Sequence, residues 1–565
     1  MKSIAFVLLL GLPGQALPVT LQVPPAAEAA EAPATIRVAA GGDLQAALDR
    51  ARGGDVIELA SGATFTGTFV LPVKSGQRYT ILRTAATPGL PDASMRVGPS
   101  HAGTLARLQS PDASPTLRTA PGAHHWRLML LELGPNGTAA GDILVLGDAS
   151  VAQSGESTPH DLVVDRCYIH GDPARGQKRG IAMNSASTIV TGSYISDIKS
   201  TSQDAQAIAG WNGPGPFLIE NNYLAASGEN FMLGGALPAT QGLVPSDLVF
   251  RRNHVTRPAA WRSEKWNVKN LFELKNARRV LVEGNLFENH WVDAQPGYAI
   301  VFTPRGEHGA APWATVEDVT FRYNIIRNVS AVFNLLARDD GGASGTLRRV
   351  RISDNLILRV DREAWGGNGA FMQIGEGPSE LVVEHNTIMH SGNVLTMYGG
   401  PKDAPSTGER FVFRNNIAPH NANGVIGQGS AVGADSINAY FPAAVFLRNV
   451  LAGGRASRYP GDNLFPGMDR FTQQFVNYAG GDYRLKPDSE FRRAATDGAD
   501  LGVNFIELVR AIGADRLSEA ARAIEQCRAR APQISIARVR KGLLQNSPDI
   551  EKLVEALRRA GLPEQ

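Results

Sequence analysis

A short phrase recurs along the middle of the chain: an apolar, strand-forming run, an asparagine, and a second apolar pair. Eight copies are complete, and consecutive asparagines are 30 to 39 residues apart. A near-constant repeat with strand chemistry predicts a stack of equivalent coils, each of which buries its apolar face only against its neighbours. The repeated asparagines are Asn222, Asn253, Asn285, Asn324, Asn355, Asn386, Asn416 and Asn449, and degenerate copies precede them at Cys167 and Ser193.

An asparagine suits the corner of such a coil for two reasons. It tolerates left-handed backbone geometry, and its amide can hydrogen-bond to the equivalent asparagine one coil above and below. A second apolar run recurs at the same spacing, as in AQAIAGW, NLFELKN and YAIVFTP. We therefore expect a structural asparagine ladder and a second parallel sheet.

The two ends of the chain lack the repeat. Residues 1–35 combine Lys2, an apolar core and an Ala/Pro/Glu-rich stretch, which indicates a signal peptide and a flexible leader. We therefore expect a secreted or periplasmic protein, and no later apolar run is long enough for membrane insertion. Residues 511–565 have apolar positions at helical spacing and predict a helical tail. Cys167 and Cys527 lie in different segments, so we expect no disulfide.

The segment GDLQAALDRARGGDVIEL has the pattern of a helix followed at once by a strand. Asp43 is placed to cap the helix, Gly53 and Gly54 to end it, and the strand begins at Val56. This opening resembles the N-terminal cap of secreted right-handed parallel β-helix proteins of the pectate-lyase-like superfamily. The resemblance implies an all-β, right-handed parallel β-helix over residues 36–510, with an N-terminal capping helix and a helical C-terminal tail.

Outward-pointing side chains of adjacent coils lie about 4.8 Å apart, so residues some 30 positions apart can form one cluster. The second-run strands carry the richest outward set of acids, bases and aromatic rings. Such a strip along a groove is the usual layout for polysaccharide chemistry on this fold. The candidates are Trp211, Glu229, Glu273, Lys275, Arg305, His308, Arg338 and Asp339.

Positive charge is concentrated in one stretch. The whole chain carries a net charge of +2, whereas residues 251–279 hold nine basic and two acidic side chains. Indole rings stack on sugar faces and cations bind carboxylates or sulfates, so the stretch predicts an anionic polysaccharide partner. Nucleic acid is excluded because the patch is local and the protein is expected to be exported. The binding candidates are Trp261, Arg262, Lys265, Trp266 and Lys269.

If the polymer contains uronates, β-elimination needs a neutralised carboxylate, a base for the C5 proton and a proton donor for the leaving oxygen. We assign Lys275 as the base, because a neighbouring cation such as Arg305 lowers the pKa of a lysine. Arg305 or Arg338 would neutralise charge, and Glu273 and Asp339 are the candidate Ca²⁺ ligands. The arrangement is similar to that of calcium-dependent β-helix lyases acting on alginate and dermatan sulfate, although FELK lacks their second acidic residue.

Two other functions stay open beside a monomeric polysaccharide lyase. A glycoside hydrolase of the same fold needs two carboxylic acids about 5 to 9.5 Å apart, and Asp339, Asp340, Glu307 and Glu273 could supply them. A glycan-binding or adhesive surface protein would need the groove but no catalytic group.

Overall fold

The computed structural model describes residues 16–22, 34–93, 95–401 and 404–513. Three long parallel sheets of 14, 13 and 12 strands dominate it, and each full coil adds one strand to each sheet in turn. Crossovers between parallel strands are right-handed in nearly all proteins. The predicted all-β, right-handed parallel β-helix is therefore confirmed.

The strands are named by their residues. The first sheet contains Thr35–Val38, Val56–Leu59, Thr80–Thr84, His124–Met129, His160–Asp165, Thr188–Thr191, Phe217–Glu220, Ser246–Arg251, Ala277–Glu283, Val316–Arg322, Leu347–Ser353, Ser379–Glu384, Val412–Arg414 and Val445–Leu447. The second sheet contains Thr64–Thr66, Ala106–Gln109, Leu131–Leu133, Tyr168–His170, Tyr194–Ile198, Tyr223–Ala226, His254–Thr256, Leu286–His290, Ile325–Val329, Leu356–Val360, Thr387–His390, Ile417–Pro419 and Val450–Ala452. The third sheet contains Phe69–Leu71, Leu117–Thr119, Asp142–Leu146, Arg179–Met183, Gln206–Gly210, Glu229–Leu233, Phe272–Leu274, Tyr298–Phe302, Ala331–Leu336, Met372–Gly375, Leu395–Tyr398 and Val425–Gly427.

Short helices lie at the ends and in loops. The N-terminal helix, Leu44–Arg50, begins where Asp43 accepts a 2.9 Å hydrogen bond from the Ala46 N–H. Its Gln45 side chain bonds both the N–H and the C=O of Val70, which covers the first strand of the third sheet. The other α-helices are Arg362–Trp365, Ala434–Tyr440, Met468–Thr472 and Phe505–Ile512, and the 3₁₀ turns are Pro99–His101, Gly155–Ser157, Ala259–Ser263 and Ala456–Arg458.

The asparagine ladder runs between the first and second sheets. The Oδ1 of Asn253 accepts hydrogen bonds from the backbone N–H and the Nδ2 of Asn222, at 3.0 and 3.1 Å. The same pair of bonds links every later asparagine of the repeat to the next, and the ladder ends one step beyond the repeat, at Asn463. Buried amides that satisfy one another in this way have a structural role, as the repeat predicts.

The prediction that the ladder asparagine itself takes left-handed geometry is wrong. The left-handed residue is the one before it, for example Asn221 (φ 58°), Arg252 (φ 54°) and Gly284 (φ 65°). That residue turns the chain at the corner, and the asparagine after it directs its amide into the stack.

Residues 16–22 of the N-terminal leader are among the described residues. Leu21 packs on apolar side chains of the outer face of the first sheet, and the Val19 N–H donates a 3.1 Å hydrogen bond to Asp247. Residues 1–15 and 23–33 of the predicted signal peptide and leader lie outside the described residues. Within the described part of the chain, no helix has the length and apolar character needed to cross a membrane.

The parallel stack ends earlier than residue 510. Its last strand is Val450–Ala452, and an antiparallel pair, Phe475–Asn477 and Asp482–Leu485, follows. This C-terminal segment turns back along the outer face of the second sheet, where Leu508 and Ile512 pack with Leu356. The rest of the predicted helical tail, with Cys527, falls within residues 514–565, which the structure does not describe.

Candidate functional site

An open pocket of about 420 Å³ lies on the outer face of the third sheet, over strands Phe272–Leu274 and Tyr298–Phe302. Strand register aligns Glu273 in one column with Val301, Asn334 and Gln373, which each belong to one of the next three coils. Outward residues of one register column must line one groove. The structure thus brings the predicted Glu273, Lys275 and Arg305 together in one pocket.

A second carboxyl group, that of Glu229, interacts electrostatically with the pocket residues Glu273 and Lys275 and has no exposed surface. Its Oε2 accepts a 3.0 Å hydrogen bond from Gln206 Nε2, and its Oε1 has no hydrogen-bond partner. Burial and the nearby Glu273 raise the pKa of Glu229 to about 7. The sequence pattern places Glu229 in the outward strip but assigns it no role.

The electrostatic expectation for Lys275 is wrong. Its Nζ lies 3.6 Å from Glu273 Oε1. Burial lowers the pKa of Lys275, but the carboxylates of Glu273, Glu229 and Asp204 outweigh burial and the opposing charge of Arg305, so the pKa is raised. Without a ligand, therefore, Lys275 is held as an ammonium ion.

Asp339 does not share a site with Glu273. Its Oδ1 accepts a 2.7 Å hydrogen bond from Arg305, and its Oδ2 accepts a 2.8 Å bond from the Gly306 N–H. Arg305 also bonds Asp340. Asp339 thus orients the guanidinium and is not among the residues that line the pocket with Glu273; its role as a Ca²⁺ ligand stays a prediction. Arg338, predicted to be catalytic, lies past the end of strand Ala331–Leu336 and is exposed outside the pocket.

Three buried oxygen atoms near the pocket lack hydrogen-bond partners: Asn270 Oδ1, Glu229 Oε1 and Glu273 Oε2. Asn270 and Glu273 both line the pocket, and the charge of Glu273 acts on Glu229. Carboxylate and amide oxygens are the ligands that Ca²⁺ prefers. Glu229, Asn270 and Glu273 are therefore oxygen donors of the kind that a Ca²⁺ ion uses, with Lys269 Nζ 3.8 Å from Glu229 Oε1 and Lys275 Nζ 3.6 Å from Glu273 Oε1.

The two predicted sugar-stacking indoles are engaged by the protein itself. Lys199 Nζ lies 4.8 Å from the ring centroid of Trp261 and 4.7 Å from that of Trp266. Trp261 is buried as well. Both rings thus hold a lysine that precedes them by more than 60 positions, a contact that local sequence does not reveal. The ring faces that Lys199 covers cannot stack on a sugar, so the predicted stacking is wrong for those faces.

The remaining predicted binding residues lie outside the pocket. The guanidinium of Arg262 lies over Trp365, 4.7 Å from the ring centroid, and donates to the Ala364 carbonyl. The other four are half-buried or exposed: Trp211 faces Arg179, Lys269 binds Asp204, and Lys265 and His308 are exposed. None of these five side chains lines the pocket.

A polar network in the pocket was not predicted. Tyr298 Oη donates a 2.9 Å hydrogen bond to Gln373 and accepts a 2.8 Å bond from Asn368 Nδ2. Gln373 Nε2 in turn donates to Asn334 at 3.2 Å. The strand positions could have indicated this network, because Asn334 and Gln373 occupy, in later coils, the same outward register position as Glu273.

No protein-family model matches the chain, and no curated protein sequence matches it. Among solved structures, the PL6 family alginate lyase AlyGC is 14% identical over 83% of this chain and 58% of its own, with a TM-score of 0.42. PfbA, a surface adhesin of Streptococcus pneumoniae, is 12% identical over 67% of this chain and 88% of its own, also with a TM-score of 0.42.

A tailspike protein mutant of E. coli bacteriophage HK620, in complex with a hexasaccharide, is 14% identical over 75% of this chain and 64% of its own, with a TM-score of 0.40. Similarity of this size says nothing about what this chain binds. What the structure confirms is the fold, a parallel β-helix of three sheets.

Proposed function

We propose that the protein binds an acidic polysaccharide in the pocket on the third sheet and cleaves it by β-elimination at a uronate residue. The supporting observation is that Lys275 and Arg305, on adjacent coils, both line a pocket whose other walls carry amide and hydroxyl groups. A cation pair fits a carboxylate, and the amides of Asn334 and Gln373 fit sugar hydroxyls.

Arg305 is the group for the substrate carboxylate. Asp339 and Asp340 hold its guanidinium in place, and the side chain remains about one-third exposed. A guanidinium fixed in this way meets a carboxylate without first losing conformational freedom. Charge neutralisation at that carboxylate acidifies the adjacent C5 proton.

Lys275 is the group for proton transfer: its free amine takes the C5 proton as the C4=C5 double bond forms, and the resulting ammonium returns a proton to the glycosidic oxygen as the C4–O bond breaks. It can accept a proton only as the free amine, whereas Glu273, Glu229 and Asp204 stabilise its ammonium form. Compensation of those negative charges is therefore a condition for catalysis. A Ca²⁺ ion held by Glu229, Asn270 and Glu273 would supply positive charge beside the substrate carboxylate.

The hydrolase alternative has less support. Asp339 is engaged by Arg305 and by backbone N–H groups, which outweigh burial and lower its pKa. A glycosidase acid needs both a raised pKa and access to the substrate. Asp339 lacks the raised pKa, and Glu229, whose pKa is raised to about 7, is fully buried. The binding-only alternative differs from the lyase only in the absence of turnover.

The test is a panel of alginate, pectate, hyaluronan and dermatan chains, with Ca²⁺ or with chelator, followed by the ultraviolet absorbance of the unsaturated product. We expect one polymer to give a rise in absorbance, and Lys275→Ala to lower kcat/KM by about 10²-fold or more. Lys486→Ala, in the C-terminal segment, is the matched control and keeps full activity. Release of reducing ends without absorbance would indicate hydrolysis, and binding without any product would indicate a binding protein.

A further inference from the structure

A group of histidines lies on the first sheet, on a different face from the pocket. His124 and His125 start one strand, and His160 and Asp161 start the strand of the next coil, with His160 in register with His124. One ligand atom each of His125, His160 and Asp161 lies within 4.8 Å of the other two. Within the described ranges, this is the one set of three His, Cys, Asp or Glu side chains so arranged.

His124 adds a third imidazole to the group. Its ring stacks on that of His160 with 5.0 Å between centroids, and its Nδ1 lies 2.9 Å from the Nδ1 of His125. The carboxylate of Asp161 lies 2.7 Å from His160 Nδ1 and 3.9 Å from His125 Nε2. Three imidazoles and one carboxylate thus converge across two coils.

Later coils use the same register position differently. There the outward residues form ion pairs: Asp247 with Arg279 and Asp318 with Arg349, each at 2.6 Å. A guanidinium is a fixed cation without a lone pair to give a metal. In the early coils His125 occupies the arginine position, and its 3.9 Å distance to Asp161 is longer than those ion pairs. In the early coils, imidazole and carboxylate groups that can bind a metal therefore stand where the later coils have an ion pair.

We propose that His125, His160 and Asp161, with His124, form a Zn²⁺ site that joins two adjacent coils of the first sheet. Two or three nitrogens and one carboxylate oxygen are the ligand set of tetrahedral zinc, whereas calcium takes oxygen ligands only. The side chains of His160 and Asp161 are about one-third exposed, so an ion can enter from solvent. The site is independent of the pocket on the third sheet.

The test uses untagged protein, freed of metal with chelator and then dialysed. Zn²⁺ is titrated by calorimetry, and Co²⁺ reports ligand geometry through its visible absorption. We expect about one Zn²⁺ per chain, a higher Tm with Zn²⁺, and the absorption of tetrahedral Co²⁺. The double variant His125→Ala/His160→Ala should weaken Zn²⁺ binding at least 100-fold and abolish that absorption.

His254→Ala is the matched control, because His254 forms an equivalent pair with Glu288, at 2.7 Å, outside the cluster. It should keep full zinc binding. Asp161→Asn is a second variant that keeps the side-chain shape if the double variant fails to fold, and it should weaken binding at least tenfold. Absence of saturable Zn²⁺ binding by the wild type, or unchanged binding by a folded cluster variant, would overturn the proposal.

Discussion

Gln206 Nε2 donates a 3.0 Å hydrogen bond to the fully buried carboxyl group of Glu229. The Oε1 of Gln206 accepts a 3.1 Å bond from Arg179 Nε, which orients the glutamine amide so that its nitrogen faces Glu229. A neutral amide supports a buried carboxylate less well than a bound cation does. The pKa of Glu229 is therefore set largely by its burial and by the charges near it.

Glu229→Gln should remove a pH-dependent loss of stability. The folded-state pKa of Glu229 is about 7, above the ordinary glutamate value of 4.5, so its contribution to stability is complete below about pH 4.5 and is lost as pH rises through 7. We expect the Tm of the variant relative to the wild type to increase between pH 4.5 and pH 8. Glu220→Gln, which breaks a surface ion pair with Arg251, is the control and should show no such increase. A pH-independent Tm difference for Glu229→Gln would contradict this prediction.

Asn324→Ala should destabilise the stack from the middle of the ladder. The Oδ1 of Asn324 accepts from the N–H and the Nδ2 of Asn285, both at 2.9 Å. Its removal leaves the buried N–H of Asn285 unpaired, whereas Asn285 Nδ2 keeps its bonds to the carbonyls of Phe250 and Glu283. At about 1–3 kcal/mol for one unpaired group, we expect a loss of that size in the free energy of unfolding, measured with urea. Asn463→Ala, at the partly exposed end of the ladder, should cost less because water can replace the lost bonds. Equal losses would argue against the ladder as the cause.

Gly284→Ala should release the C-terminal helix from the stack. A Cβ at Gly284 would lie 2.4 Å from the carbonyl oxygen of Ala511, at the end of helix Phe505–Ile512. We expect faster proteolysis and faster hydrogen exchange in this helix, with the sheets unchanged by circular dichroism. Gly192→Ala is the control: its φ is also positive, but the added Cβ would meet mainly the flexible side chain of Arg166. Unchanged exchange in Gly284→Ala would show that the helix is not held at this contact.

Arg262→Ala should loosen the loop that follows helix Arg362–Trp365. The guanidinium lies over Trp365 and bonds Ala364, and Asn368 of this loop bonds Tyr298 in the pocket. We expect a loss of about 1–2 kcal/mol in the free energy of unfolding and faster hydrogen exchange in residues 361–369. Lys265 is an exposed residue in the same loop as Arg262, and Lys265→Ala should change neither the free energy of unfolding nor the hydrogen exchange of residues 361–369. Unchanged hydrogen exchange in residues 361–369 of the Arg262→Ala variant would contradict the prediction.

Much of the fold could be predicted because it depends on local pattern. Every coil repeats the same apolar positions and the same corner asparagine, so a single coil seen in sequence describes its neighbours. The ladder, the parallel sheets and the register that joins Glu273 to Lys275 and Arg305 follow from that repetition.

The candidate site was predicted less completely, because charge pairing depends on contacts between segments. Asp339 binds Arg305 of the preceding coil, a contact that the repeat does not indicate. Lys199 covers Trp261 and Trp266 from a distant position in the chain. Such contacts depend on the lengths of the inserted loops, and the repeat in the sequence does not predict those contacts.

The sequence by itself determined the coil, its repeat and its corner, since these depend on backbone geometry and on apolar burial that recur in every turn. Only the tertiary structure decided which side chains are free to act. Burial sets the pKa of Glu229, and three neighbouring carboxylates hold the proton on Lys275. Those effects depend on distance and on exclusion of water, which arise only once the coils are stacked.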